Sequence, residues 1–266
     1  MKLYIDDQFK KSMIERLQTA GCVFAEEEAK LLISEARTLD ALSTMVNLRI
    51  TGIPLEHVLG WAEFYGIRIP VDTGVFVPRR RTEFLVQKAV DFSLPGAIVV
   101  DLCCGTGAVG VAIAKALGGI ELYAVDIDPA AVRCALRNVT SLGGLVYEGD
   151  LYEQLPASLR GKVDILVANA PYVPTEVIKL LPQDARLHEP KLALDGGVDG
   201  LDIQRRVAEE ASLWLAWGGH LLVETSEMQA HQTFEIFTRY GLIPQIAHND
   251  ELDATIVIGT KPTTLE

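Results

Sequence analysis

One stretch limits the fold more than any other. Val99-Val100-Asp101-Leu102-Cys103-Cys104-Gly105-Thr106-Gly107 is an apolar strand that runs into a glycine turn and then into a helical pattern over residues 108–117. Gly105 and Gly107 present no Cβ, so the backbone there can turn sharply and approach a ligand closely. A strand apolar on both faces and followed at once by a helix belongs in a sheet covered on both sides.

The chain downstream repeats that alternation. After a helix over 82–92, with Thr82 as its N-cap, the patterns predict a strand at 97–102, a helix at 108–117 and a strand at 121–126. A helix at 129–142, strands at 145–148 and 163–168, a helix at 201–216, a strand at 220–224 and a helix at 228–240 follow. Such order implies an α/β fold with a mostly parallel sheet. Two last strands, near 242–247 and 254–260, are separated only by a polar loop and are expected to form an antiparallel edge hairpin.

Upstream the character differs. Ile14, Leu17, Ala29, Leu32, Ile33 and Ala36 recur at helical spacing, and Gly52 with Pro54 ends the last long helix. Phe64, Tyr65, Ile67, Ile69 and Val71 then read as a hairpin broken at Gly66 and again at Asp72-Thr73-Gly74. The expected division is a helical domain over 1–60, a hairpin linker over 61–81 and the α/β domain over 82–266.

Composition narrows the partners. With 36 acidic against 24 basic residues and a net charge of −12, the chain is ill suited to extended docking on nucleic acid, which needs lysine and arginine to neutralise phosphates. Arg79-Arg80-Arg81 is the local exception, expected as a solvated turn, with a contact for an acidic partner as the alternative. The four cysteines, Cys22, Cys103, Cys104 and Cys134, are too scattered for a disulfide framework or a zinc site, and no metal is expected. No apolar run reaches membrane-span length. Residues 1–8 lack a signal-peptide core, so a bacterial-type cytoplasm is the expected location. Residues 263–266 are expected to be in part an appended tail.

The glycine turn is the candidate cofactor site. Asp101 at the strand end can accept from an ammonium group or order the loop. Asp126, one helix and one strand later, is placed to accept both ribose hydroxyls of an adenosine ligand. Gly105-Thr106-Gly107-Ala108-Val109-Gly110 also fits the dinucleotide pattern G-x-G-x-x-G. A pyrophosphate would be repelled by Asp101, which favours S-adenosyl-L-methionine, with S-adenosyl-L-homocysteine as product, over NAD. Cys103, Cys104, Thr106, Asp150, Leu151 and Asn169 complete the candidate cofactor set.

Asn169-Ala170-Pro171-Tyr172 is the candidate catalytic motif. It follows an apolar strand and so sits at a carboxyl end of the sheet, where α/β ligands bind. If the Asn169 side-chain oxygen and the Ala170 carbonyl accept from a substrate NH2, they orient a nitrogen whose lone pair is delocalised and stabilise its developing charge. Tyr172 would lie against the substrate plane.

These motifs together resemble the HemK/PrmC-type protein glutamine methyltransferases, which act on the Gly-Gly-Gln loop of peptide-chain release factors. The resemblance covers nearly the whole chain. It includes Gly52-Ile53-Pro54-Leu55-Glu56-His57-Val58-Leu59-Gly60, Glu63-Phe64-Tyr65-Gly66 and Val77-Pro78-Arg79-Arg80-Arg81-Thr82-Glu83. His188-Glu189-Pro190, Leu194-Asp195-Gly196-Gly197, Asp199-Gly200-Leu201 and Val223-Glu224 continue it. It implies a class I Rossmann-like methyltransferase fold, a release factor as the protein partner, substrate recognition by the N-terminal helices and chemistry in the C-terminal domain. Three positions depart from the family: Ala170 stands where it has a first proline, Cys103 where it has a first glycine, and Arg80-Arg81 where it has a proline and an acidic residue. The alternatives are methylation of an exocyclic amine in DNA or RNA, and a non-catalytic cofactor-binding protein.

Overall fold

The computed structural model describes residues 5–263. The first four residues of the 1–8 segment read for a leader, and all but Thr263 of the expected tail, lie outside these.

The chain opens with four helices, α1 (Asp7–Thr19), α2 (Ala25–Glu35), α3 (Leu39–Ile50) and α4 (Leu55–Leu59). Side chains cap two of them: Asp6 accepts from Phe9 N at 2.7 Å and Thr38 from Ala41 N at 3.1 Å, each satisfying an otherwise unpaired helix donor. Their apolar faces meet in a core of their own, with Leu17, Ala29, Leu32 and Leu42 fully buried. Arg49 spans the bundle to the Glu28 carboxylate at 2.7 Å.

A two-stranded hairpin follows, β1 (Trp61–Phe64) and β2 (Ile67–Pro70). Its inward residues Phe64 and Ile69 join the core of the domain that follows. A short 3-10 turn at Arg80–Thr82 leads into α5 (Glu83–Phe92).

The remaining elements are β3 (Ile98–Leu102), α6 (Ala108–Leu117), β4 (Glu121–Asp126), α7 (Pro129–Val139), β5 (Leu145–Glu148), β6 (Val163–Ala168), α8 (Gln183–His188), α9 (Asp202–Trp214), β7 (Leu215–Thr225), α10 (Ala230–Arg239), β8 (Ile243–Asn249) and β9 (Ala254–Thr260). They form a seven-stranded sheet in the order β5-β4-β3-β6-β7-β9-β8. The first five strands in that order are parallel, and β9 runs antiparallel to both its neighbours. Alternate residues of each central strand feed opposite faces. Val99, Ala124, Ile165 and Leu222 pack under α5, α6 and α7, while Val100, Val125, Leu166 and Leu221 pack under α9 and α10. Both faces are therefore dry, as a parallel sheet requires. Among the described residues no helix is long and apolar enough to cross a membrane.

The expected α/β class and edge hairpin are present, with four differences. Thr82 is not an N-cap: its own backbone is helical and its side chain makes no capping bond. The helix expected at 201–216 stops at Trp214, and β7 starts at Leu215, pairing with Val163 across a register shift. Gly218, at φ +79°, and Gly219 lie in that irregular stretch. The helix expected to reach residue 142 ends at Val139, with a 3-10 turn beyond it. The polar stretch after the catalytic motif, with no predicted element, carries 3-10 turns and α8.

Candidate active site

The strand order creates a switch point. From β3 the chain winds outward through β4 to β5, then returns to β6 on the other side of β3 and winds the opposite way. Crevices open at the carboxyl ends of such strands. In the β3–β6 register Leu102 pairs with Ala168, so the glycine turn and Asn169 leave the sheet side by side. One cleft there is lined by Asp101, Cys103, Cys104, Gly105, Thr106, Asp126, Asp150, Leu151, Asn169 and Pro171. The other candidate residues stand behind it. Gly107 packs on α7, where a Cβ would come within 2.7 Å of Val139. Ala170 is buried, and Tyr172 turns its hydroxyl toward Glu224.

The β3–β4 side of the cleft is acidic. Asp101 is buried, and its Oδ2 accepts from Gly110 N at 2.9 Å. Burial pushes this carboxyl up to about 7, and the nearby Asp126 charge pushes the same way. Asp126 accepts from Gly105 N at 2.7 Å and from Asp128 N at 2.9 Å, one bond to each oxygen. Burial raises its pKa, and those backbone donors oppose the rise. A carboxylate has about four acceptor sites, so Asp126 keeps capacity for a diol. Asp150 pairs with Arg206 at 2.9 Å. Phe64, Phe76, Pro78 and Leu192 supply apolar wall. Carboxylates, a spare acceptor pair and an apolar wall fit S-adenosyl-L-methionine, whose sulfonium and ammonium are cationic, and disfavour a pyrophosphate.

Cys103 holds φ +55°, a left-handed conformation that glycine adopts freely and that costs a residue with a Cβ about 1–2 kcal/mol. Burial raises its thiol pKa strongly, with Asp126 and Asp101 adding to the rise. The thiol therefore stays protonated and is no nucleophile.

On the β6 side, Asn169 Nδ2 donates to Thr82 Oγ1 at 3.3 Å. Glu224, 1 % exposed, accepts on Oε1 from Tyr172 Oη at 3.2 Å and from Arg81 Nε at 3.3 Å. Burial drives the tyrosine pKa up, and the Glu224 charge adds to that, so Tyr172 remains a phenol. The expected solvated arginine turn needs correction. Arg79 places a terminal nitrogen 2.6 Å from both oxygens of buried Glu189, and Arg81 reaches Glu224. Arg80 and Arg81 are both exposed, and Arg80 alone of the three makes no ion pair among the described residues. The run is amphipathic in function because two buried glutamates, distant in sequence, face it.

Sequence reasoning missed Thr82, Glu189 and Glu224 as parts of the site, and Phe64, Phe76, Ile127, Pro190, Leu192 and Ile203 as cleft lining. The acidic residues stood inside segments quoted for the resemblance, which was the one available signal. Phe76, Ile127 and Pro190 come from loops with no period to read and Leu192 from a 3-10 turn, whereas Phe64 ends β1 and Ile203 opens α9.

The methyltransferase small domain model matches residues 68–185. The release factor glutamine methyltransferase of Geobacter sulfurreducens is 33 % identical over 263 residues, spanning 91 % of this chain and 92 % of that protein. The 4-amino-L-phenylalanine/4-methylamino-L-phenylalanine methyltransferase of Streptomyces pristinaespiralis is 34 % identical over 203 residues, spanning 74 % of this chain and 69 % of that protein. A methyltransferase structure from Pyrococcus furiosus shares the fold, with TM-score 0.52, 15 % identity, and coverage of 73 % of this chain and 89 % of that one.

Proposed function

We propose, from the premise that the chain belongs to the release factor glutamine methyltransferase family, that it moves a methyl group from S-adenosyl-L-methionine to the side-chain amide nitrogen of a glutamine in a peptide-chain release factor, in the cytoplasm. The observation that carries this reading is the Leu102–Ala168 register, which sets Asn169 beside the acidic glycine turn in one cleft. The bound cofactor supplies an electrophilic methyl on a sulfonium.

The chain's own residues do the rest. Asp101 takes the cofactor's ammonium group, Asp126 its ribose hydroxyls, and the Cys103–Gly107 turn and Asp150-Leu151 wrap its remaining edges. Asn169 Oδ1 and the Ala170 carbonyl accept from the substrate NH2, which holds the nitrogen in line and stabilises charge as it builds there. Pro171 biases Ala170 toward an extended backbone, and Tyr172 backs the motif from Glu224. Residues 1–60 serve as the substrate-recognition domain, 61–81 as the linker and 82–266 as the catalytic domain. Pairing of Arg79 and Arg81 with buried glutamates withdraws two cations from any phosphate contact, which weighs against a nucleic-acid substrate.

A second reading rests on the Streptomyces relative, whose name specifies an aromatic amine as acceptor. That nitrogen is also planar and poorly nucleophilic, so the same acceptors would serve it. Incubating the enzyme and cofactor with purified release factor, and separately with 4-amino-L-phenylalanine, decides between them by mass spectrometry. Methyl gain on a release-factor glutamine is expected, and Asn169→Ala should slow it by about 10²–10³-fold, the scale for one preorganised polar group. Methylation of the free amino acid alone would favour the second reading. Equal rates in wild type and Asn169→Ala would remove that residue from the mechanism.

A further inference from the structure

The Asn169 side chain has a donor end and an acceptor end of nearly the same shape. Only the acceptor end suits a substrate NH2; the flipped amide would set N–H against N–H. Something must fix the flip, and the structure supplies it one shell back. Nδ2 points to Thr82 Oγ1 at 3.3 Å, and Thr82 is 2 % exposed, set in the wall of the cleft beside Asn169.

A threonine hydroxyl can donate or accept, so Thr82 alone does not choose. Glu224 makes the choice. Its Oε1 is occupied by Tyr172 and Arg81. Its Oε2 is buried and meets no donor within hydrogen-bond geometry; burial raises the Glu224 pKa, and the Thr82 hydroxyl, the Arg81 charge and Tyr172 oppose that rise. A Thr82 hydroxyl turned toward the carboxylate would give that oxygen a donor. A carboxylate paired with Arg81 is an acceptor only. Thr82 therefore spends its single proton on Glu224, leaves lone pairs for Asn169, and draws Nδ2 rather than Oδ1.

We infer that Thr82 is a positioning residue which, polarised by Glu224, locks the Asn169 amide so that Oδ1 faces the methyl-accepting nitrogen. This rests on the proposed role of Asn169 and adds the device that gives it direction.

The test is a double-mutant cycle read by single-turnover methylation of purified release factor, with cofactor affinity measured alongside. Thr82→Val keeps the shape and deletes the hydroxyl; it should slow methyl transfer about fivefold, the scale of one net hydrogen bond, at unchanged cofactor affinity. Thr82→Ser should restore the rate. In an Asn169→Ala background, Thr82→Val should have no further effect. A wild-type rate in Thr82→Val, or a full fivefold loss in the Asn169→Ala background, overturns the inference. Glu224→Gln should slow wild type yet slow Thr82→Val less; independent, multiplicative losses would cut Glu224 out. Inactivity of Asn169→Ala with wild-type Thr82→Val refutes the lock alone, whereas full activity of Asn169→Ala refutes the mechanism beneath it.

Discussion

Asp101 offers a quantitative test of where the cofactor's ammonium group sits. In the unliganded chain burial holds this carboxyl up to about 7. An ammonium beside it favours the ionised form, so below that pH the site must release a proton in order to pair. Affinity for S-adenosyl-L-methionine should therefore fall as pH drops through 7, about fivefold between pH 7 and 6 and roughly tenfold per unit below. Proton release on binding should be about 0.9 at pH 6, about 0.5 at pH 7 and about 0.1 at pH 8.

Calorimetry in buffers of differing ionisation enthalpy measures both quantities. Asp126 shares the cleft and its pKa is also raised, so the wild type alone does not assign the proton; Cys103 and Cys104 stay protonated throughout. Asp101→Asn makes the assignment. It should bind more weakly at pH 8 and lose the pH dependence. No proton release by wild type at pH 6, or the same slope in Asp101→Asn, would refute the placement.

The same group gives the opposite sign for stability. Its folded pKa of about 7 exceeds the unfolded 3.8, so the unliganded fold should lose up to about 4 kcal/mol as pH rises from 3.8 to 7, a loss absent from Asp101→Asn in denaturant titrations. Asp126→Ala removes the acceptor of Gly105 N and Asp128 N as well as the ribose contact; it should weaken cofactor binding by about 1.5–3 kcal/mol, and unchanged calorimetric affinity would reject the role. Arg79→Ala removes the cation paired with buried Glu189 and should destabilise the fold by about 3 kcal/mol, the low end for a broken buried pair because Arg79 is partly exposed, with Arg79→Ala/Glu189→Gln recovering part of it on thermal melts. Ala170→Pro should keep or raise the methylation rate, and a collapse of turnover in a folded variant would refute the geometry assumed for Asn169.

Much of the sheet was legible because its strands advertise themselves. Residues 121–126, 145–148, 163–168 and 254–260 form strands with the expected limits, each an apolar run bounded by turn residues. The glycine turn was legible for the same local reason. Contacts that cross the chain were not. Glu224 looked like a charged residue ending a strand, yet its partner Arg81 lies 143 residues upstream. Thr82, placed before a helical run, carried a capping signal; the preceding 3-10 turn takes that place and frees the hydroxyl for Asn169. The start of β7 was hidden because Gly218 and Gly219 interrupt its apolar pattern.

Those long-range contacts bear on why alanine serves at position 170. A proline there would restrain Asn169 from within the chain, by excluding the α region for the preceding residue. Here restraint comes from outside. Thr82 holds the Asn169 side chain. On the other flank, Val173 donates to Leu194 O at 3.0 Å and accepts from Gly196 N at 2.9 Å. Gln229 Nε2 reaches Tyr172 O at 3.0 Å and Asp199 O at 2.9 Å. Gly200 comes so near Tyr172 O that a Cβ would sit 2.3 Å from it. The motif is thus fastened at both ends by groups other than residue 170. Among the described residues the Ala170 N–H makes no backbone hydrogen bond, so proline would cost none. Local stiffness and tertiary fastening are alternative ways to aim one amide, and this chain relies on the second.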